Sequence, residues 1–396
     1  MSLFRNINLN PSNITLDASS RLRVGTLNTL FDGKILNADN TQLFDVQGNG
    51  TGTWGNNKFN MSVTSGQYLV RQSTKFCHYF SGKSQLVECT FNKFNLEANV
   101  TKRVGYFSSS AVAPFNTVRD GIWLENDGTT YTLKVARAGT ETVSIPWTSW
   151  DGYASISGYN WTNFTVVAFD FLWLGGAVVR LFLKTNKGFE LLHTVNYSGS
   201  NADIMMLSPN QPIRYEIVST APGVGSFEYV CSQVASEGST DEAGMNNSMN
   251  TSAIGITVAT IGTTYPIIGI RKKSTFRDTQ VQITRLGVFV NSATDQILWS
   301  LVKNPTITGT FTYADAGGAV EKAQTSGTTT VTATGGRVLT CGHIGQYGVL
   351  PTGILDKDYL SYLGCTINNT MDQIVLCATP ISATVVAFGA INYKEY

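Results

Sequence analysis

No stretch of this chain longer than a few residues repeats its apolar side chains at the 3.6-residue period of a helix. What recurs is short runs of β-branched and aromatic residues cut off by Gly, Asn, Asp or Pro. The runs Gln85–Phe91, Tyr131–Arg137, Val166–Leu174, Ala177–Lys184, Ile213–Val218, Ile267–Arg271, Gln280–Val290 and Thr384–Ile391 read as strands. Asn126-Asp127-Gly128 between two apolar runs is hairpin-turn chemistry, and Lys187-Gly188 suits a second turn. Many short strands at this spacing predict an all-β chain of two β-sandwich, jelly-roll-like domains.

Length and texture set the divisions. A chain of 396 residues exceeds one comfortable core. Residues 1–45 carry few alternating apolar residues and read as an extended N-terminal arm that gains order from neighbouring surfaces. Residues 46–235 form the first, lectin-like sandwich, whose long paired strands make a curved sheet able to hold a ligand. Residues 236–252 read as a polar linker and 253–396 as the second sandwich, with Tyr313–Thr334 a protruding loop or edge hairpin.

Only 14% of the residues are charged, against about 25% in an ordinary globular domain. Ser, Thr, Asn, Gln and Gly must fill the surface instead, which suits repeated subunit contacts or carbohydrate contact. The net charge of +1 supplies no bulk attraction for nucleic acid. The one compact basic cluster, Arg271-Lys272-Lys273 with Arg277, reads as a solvated strand end. The opening residues lack the apolar core of an export signal. The apolar stretch Phe164–Leu183 is broken by Asp170, Arg180 and Gly175-Gly176, so it reads as two buried strands around a glycine turn and not as a membrane span. The six cysteines form no C-x-x-C pair and read as free buried thiols, with a Cys365–Cys377 disulfide left open.

Reactive constellations are sparse. The three histidines, His78, His193 and His343, read as packed or interface residues; Cys341 and His343 lack the further ligands that structural zinc needs. Glycoside hydrolysis needs two carboxylates at a set separation. Glu125 and Asp127 are two apart, but Asp127 belongs to the turn. No catalytic, cofactor or metal residue is assigned, and no enzymatic activity is expected. The aromatics Trp147, Trp150, Tyr153, Tyr159 and Trp161 crowd a Gly/Ser-rich stretch with three readings: a plug for the sandwich end, a subunit interface, or a glycan contact.

Several segments resemble, in order, a family of virion structural proteins found in tailed phages of aquatic bacteria and in some large DNA viruses. They are Asp17-Ala-Ser-Ser-Arg-Leu-Arg-Val24 with Thr29-Leu-Phe-Asp32, Gly82-Lys-Ser-Gln-Leu86 and Lys102-Arg-Val-Gly-Tyr-Phe107. Gly121-Ile-Trp-Leu, Asp170-Phe-Leu-Trp-Leu-Gly175, Pro212-Ile-Arg-Tyr-Glu-Ile217 and Ser236-Glu-Gly238 continue the series. The likeness covers about residues 17–240 and is looser beyond, at Pro266–Arg271 and Ile297–Val302. It implies a capsid, vertex or tail-associated subunit, assembled in the host cytoplasm, that contacts copies of itself and other virion proteins. It supplies no catalytic residues and no cofactor. On this reading the arm residues Arg21, Leu22, Arg23, Val24 and Phe31 dock on a neighbouring subunit, with Arg21 and Arg23 on one face of a strand and Leu22 and Val24 on the other. The alternative is a glycan-binding surface protein that recognises the host through the Trp147–Trp161 aromatics.

Overall fold

The chain is nearly all strand in a computed structural model. It describes residues 16–396 apart from 19–20, 24, 37, 175, 177, 201, 239–243, 252, 254, 293, 326–329, 346–348 and 355–361, and it describes 349–354 as backbone only. Two compact units emerge, residues 1–241 and 242–396.

In the first unit the expected strands form because their apolar residues alternate. Lys58–Val63 buries every second side chain, placing Phe59, Met61 and Val63 in the core. Eight strands make one sheet, in the order Gly188–Asn196, Val178–Thr185, Thr165–Leu172, Gln85–Asn92, Gly225–Glu237, Lys58–Val63 and Thr51–Gly55. The eighth, Leu27–Asp32, pairs with the later part of Gly225–Glu237, while Lys58–Val63 pairs with the earlier part. Seven strands make the facing sheet: Thr140–Pro146, Tyr131–Arg137, Asp120–Asn126, Val100–Ser108, Ile213–Ser219, Tyr68–Ser73 and Phe44–Gly48. Between the sheets lies one aromatic-rich core that includes Phe31, Phe91, Phe94, Tyr106, Phe169, Tyr215 and Tyr229. The predicted turn at 126–128 joins two paired strands, with Gly128 at φ +87° and the Asp127 carboxylate accepting the Thr129 and Thr130 amides.

The second unit is also a sandwich. Met245–Asn250, Val385–Glu395, Val281–Asn291 and Val349–Ile354 run side by side in one sheet. Ala314–Asp315, Val320–Gln324, Tyr265–Lys272, Gln373–Pro380, Gln296–Lys303 and Arg337–Gly345 form the other. Val385–Glu395 alternates buried and half-buried positions over all eleven residues, and both sheets contribute to one core. Residues 314–324 form the edge hairpin expected within Tyr313–Thr334.

Two boundaries differ from expectation. The arm ends earlier than residue 45, because Leu27–Asp32 is a strand of the first unit's own sheet and Phe31 is fully buried there. The linker assigned to 236–252 is partly strand: Gly225–Glu237 runs into it, and Met245–Asn250 pairs with Val385–Glu395. Asn-rich sequence hid Met245–Asn250 because an edge strand needs backbone pairing more than apolar side chains. All six cysteines are free thiols, so Cys365 and Cys377 are not bridged. The basic cluster is a paired strand end: Arg271 meets Glu321 at 2.6 Å, Lys273 meets Asp315 at 2.7 Å, and Lys272 is buried. The stretch 164–183 contains two antiparallel strands, and among the described residues no helix is long and apolar enough to cross a membrane.

Candidate functional site

Two ion clusters of the first unit lie on the outer faces of its two sheets, because strand alternation turns one set of side chains into the core and the other away. On the seven-stranded sheet, Val100–Ser108 buries Val104 and Tyr106 inward and sends Arg103 and Phe107 outward. Its neighbours send out Trp123, Glu125, Lys134, Arg214 and Glu216 in the same way. Arg103 donates to both carboxylates, to Glu125 at 2.5 Å and to Glu216 at 3.2 Å. Glu216 also pairs with Arg214 at 2.7 Å and with Arg119 at 3.5 Å, and Glu125 pairs with Lys134 at 3.2 Å.

This outer face is closed. Phe107, Trp123 and Ala136 pack together on it, fully buried. Residues 109–119 fold back toward it, so that Arg214 donates to the Phe115 carbonyl and Arg119 lies over the Trp123 ring. Gly105 belongs to the same close packing: a Cβ there would lie 2.3 Å from the Ile122 carbonyl oxygen.

The two carboxylates are the nearest approach to glycosidase geometry, and sequence reading missed Glu216 because it lies on a strand ninety-one residues from Glu125. Burial pushes the Glu125 carboxyl up, but Arg103 and Lys134 outweigh it and hold it below its ordinary value. Burial pushes Glu216 up as well, and Arg214, Arg119 and Arg103 together hold it down. Glycoside hydrolysis requires one protonated carboxyl as acid. Both of these are held ionised, so the pair is a structural ion cluster. Asp127 is a turn residue, as its spacing predicts.

On the eight-stranded sheet a second buried ion cluster centres on Asp170. Arg180 donates to it, Arg23 lies 2.5 Å from its other oxygen, and the Ser84 hydroxyl donates at 2.6 Å. Arg180 also donates to the Leu16 carbonyl, and the Ala18 amide donates to the Ser84 hydroxyl. The segment beginning at Leu16 is thereby seated on its own sheet. Arg21 pairs with Asp17 at 2.6 Å and donates to the Gly82 carbonyl at 3.1 Å.

The proposed arm contacts therefore divide. Phe31 is core, and Arg23, with 9% of its side chain exposed, is committed to Asp170; both are corrected from partners of another subunit to partners within the chain. Leu22 is 44% exposed and Arg21 stays largely exposed. Val24 lies outside the described residues.

The aromatic stretch turns inward. Trp150 and Trp161 are each 3% exposed. Tyr131 stacks on Trp161 at 4.6 Å and meets Trp147 edge-on at 5.0 Å, while Trp147 meets Tyr153 and Tyr159 meets Trp161 in the same manner. The rings extend the core through a short 3₁₀ turn at Trp147–Ser149 and a helical turn at Tyr153–Ile156. Trp150 and Trp161 offer no open face for a sugar, which favours the plug reading of this stretch.

His78 is packed edge-on against Phe80, and burial, aided by Lys75, lowers its pKa to about 4. His193 lies 3.0 Å from Asp151. Among the described residues no group of His, Cys, Asp or Glu is placed to hold a metal ion.

No family model matches the chain. No curated protein matches it in sequence. Among solved structures, the Emp47p carbohydrate recognition domain is similar, at 10% identity and a TM-score of 0.36, over 54% of this chain and 97% of that one. The Bacillus licheniformis β-glucanase is similar at 14% identity and a TM-score of 0.35, over 55% of this chain and 100% of that one. The VIP36 exoplasmic/lumenal domain in its Ca2+/Man3GlcNAc-bound form is similar at 10% identity and a TM-score of 0.37, over 55% and 92% of the respective chains. At such identities these likenesses concern the β-sandwich fold alone.

Proposed function

We propose that this chain is a virion structural component, a capsid, vertex or tail-associated subunit that assembles with copies of itself and with other virion proteins in the host cytoplasm. The observation that carries the reading is where its resemblance segments meet. Arg23, Ser84, Asp170 and Glu237, from four segments spread over the first unit, gather in the buried Asp170 cluster. Arg103, Trp123, Arg214 and Glu216, from three others, gather in the buried cluster on the opposite sheet. The segments that resemble that family thus meet in two buried ion clusters, one on the outer face of each sheet, and a surface held fixed in this way supports use as a repeated subunit.

The test is assembly. The purified full-length chain should form a defined homo-oligomer by light scattering, and an antibody raised against it should decorate purified virions. Leu22→Asp, at an exposed position on the seated segment, should weaken oligomers without changing the melting temperature. A chain that stays monomeric at every concentration and is absent from virions overturns the reading.

A further inference from the structure

At one end of the first unit's core, a lysine and an asparagine lie side by side on the inner face of the seven-stranded sheet. Lys102 and Asn126 are directly opposite each other on the neighbouring strands Val100–Ser108 and Asp120–Asn126. They share a face with the core residues Val100, Val104 and Leu124, and both are fully buried. Opposed side chains of this kind begin about 4.5–5.5 Å apart at Cβ. Residues 93–97 close over the pair. The Lys102 Nζ donates to the Lys93 carbonyl at 2.6 Å and to the Asn95 carbonyl at 3.1 Å. The Asn126 Nδ2 donates to the same Asn95 carbonyl at 2.9 Å and to the Phe94 carbonyl at 2.6 Å. One backbone oxygen thus holds the amine and the amide nitrogen together. One oxygen of the Glu97 carboxylate lies 3.0 Å from the Lys102 Nζ, and the other accepts the Asn95 Nδ2 at 3.2 Å.

These contacts gather the parts of an amide exchange in one place from which water is excluded. The neutral amine of a lysine is a nucleophile and its ammonium form is not. Burial pulls the Lys102 pKa below its ordinary value, although Glu97 opposes it. Glu97 is within reach of the proton that the ammonium must give up. The Asn126 Oδ1 accepts the Gly128 amide at 2.8 Å. That N–H is a fixed donor to the oxygen on which negative charge develops when an amine adds to the amide carbon. Paired strands hold both reactants in place, so the cost of bringing them together is met by folding.

We infer that Lys102 and Asn126 join in an intramolecular isopeptide bond, with Glu97 as the proton carrier. The Lys102 Nζ bonds to the Asn126 Cγ and the Cγ–Nδ2 bond breaks. One Nζ hydrogen passes through Glu97 to the Nδ2, which leaves as ammonia, and Glu97 ends in the protonation state in which it began. No oxidant or second substrate is consumed. The product ties two neighbouring strands of the seven-stranded sheet covalently, and it forms only after folding has paired them. It stands whether or not the chain assembles into a particle.

The experiment is intact-mass spectrometry of the purified full-length chain under denaturing conditions, followed by fragment sequencing of a protease digest. The chain should be lighter than its sequence by one ammonia, and the digest should yield a branched peptide that carries Lys102 and Asn126. Glu97→Gln keeps both reacting residues and alters a side chain that is 25% exposed. It should have the full sequence mass while its circular dichroism matches that of the unaltered chain. An unaltered chain of full sequence mass overturns the inference, as does a loss of ammonia without the branched peptide. The branched peptide persisting in Glu97→Gln overturns the role of Glu97.

Discussion

The guanidinium of Arg23 lies 2.5 Å from the carboxylate of Asp170, 147 residues further along the chain, and fastens the start of the described chain to the outer face of its own sheet. Asp170 is fully buried and is shared by Arg23 and Arg180. Removing the carboxylate leaves two cations beside each other with nothing between them. Asp170→Ala should therefore cost about 3–5 kcal/mol, and Arg23→Ala, which spares the Arg180 pair, about 1.5–3 kcal/mol. Urea midpoints measure both; equal losses would mean that Arg23 alone neutralises Asp170. Truncation of residues 1–30 removes Arg23 and the buried Leu30 together, so it should lower stability as well as alter assembly.

Acid should dismantle the opposite sheet's ion cluster. The Glu125 and Glu216 carboxyls sit below their ordinary values when folded. A depressed carboxyl stabilises the fold above its unfolded pKa of about 4.3, and that stabilisation is lost as pH falls through the lower folded value. Stability should fall steeply below about pH 4, and Glu216→Gln should be less stable at neutral pH but show a shallower acid slope. Melting temperatures from pH 7 to 3 provide the measurement.

His78 sets a second, higher window. Its folded pKa of about 4 lies below the ordinary value of 6.5, so the unfolded chain binds a proton more readily between the two. Its contribution is complete above pH 6.5 and is lost as pH falls toward 4. His78→Phe should abolish the pH dependence in that interval, read by the same melts; an unchanged profile would remove His78 from the account.

Trp150→Ala should behave as a core deletion. Its ring is buried, and its indole N–H donates to the Ile145 carbonyl at 3.0 Å. The expected loss is about 3–5 kcal/mol, measured by denaturation. A stable Trp150→Ala protein would show that the aromatic stretch is not a plug.

Arg71 is a charge inside the aromatic core. Its guanidinium lies 4.1 Å from the Phe59 ring centre and 4.4 Å from that of Phe44, while its tip pairs with Asp39 at 2.5 Å. A lysine ammonium has neither the planar face nor the fork that this position uses. Arg71→Lys should cost about 2 kcal/mol, measured by denaturation, and a neutral result would reduce the stacking to mere proximity.

Much of the architecture was legible along the chain. Tyr131–Arg137 has the bounds its residues predict, and the other expected strands fall within two residues at their starts and four at their ends. The Asn126-Asp127-Gly128 turn and the edge hairpin after Tyr313 were legible for the same reason: turn chemistry and alternation act over a few neighbouring residues. Met245–Asn250 was not legible, because its pairing with Val385–Glu395 comes from a partner more than a hundred residues away. Nor was the relation of Glu125 to Glu216, which exists only because the strand carrying Arg103 lies between theirs.

The sequence by itself determined an all-β chain, through the period of its apolar residues and the placing of its turns. The tertiary structure decided which polar and aromatic residues are spent on closing the fold. Arg23 and Trp161 look alike in sequence to an exposed basic or aromatic residue, and become internal because Asp170 and Tyr131 are brought to receive them. Asn60, Glu228 and Asn92 come from three strands with no common motif, and stand side by side only because strand register aligns them. Alternation is a property of neighbours along the chain; register is a property of partners across a sheet, and only the folded sheet sets it.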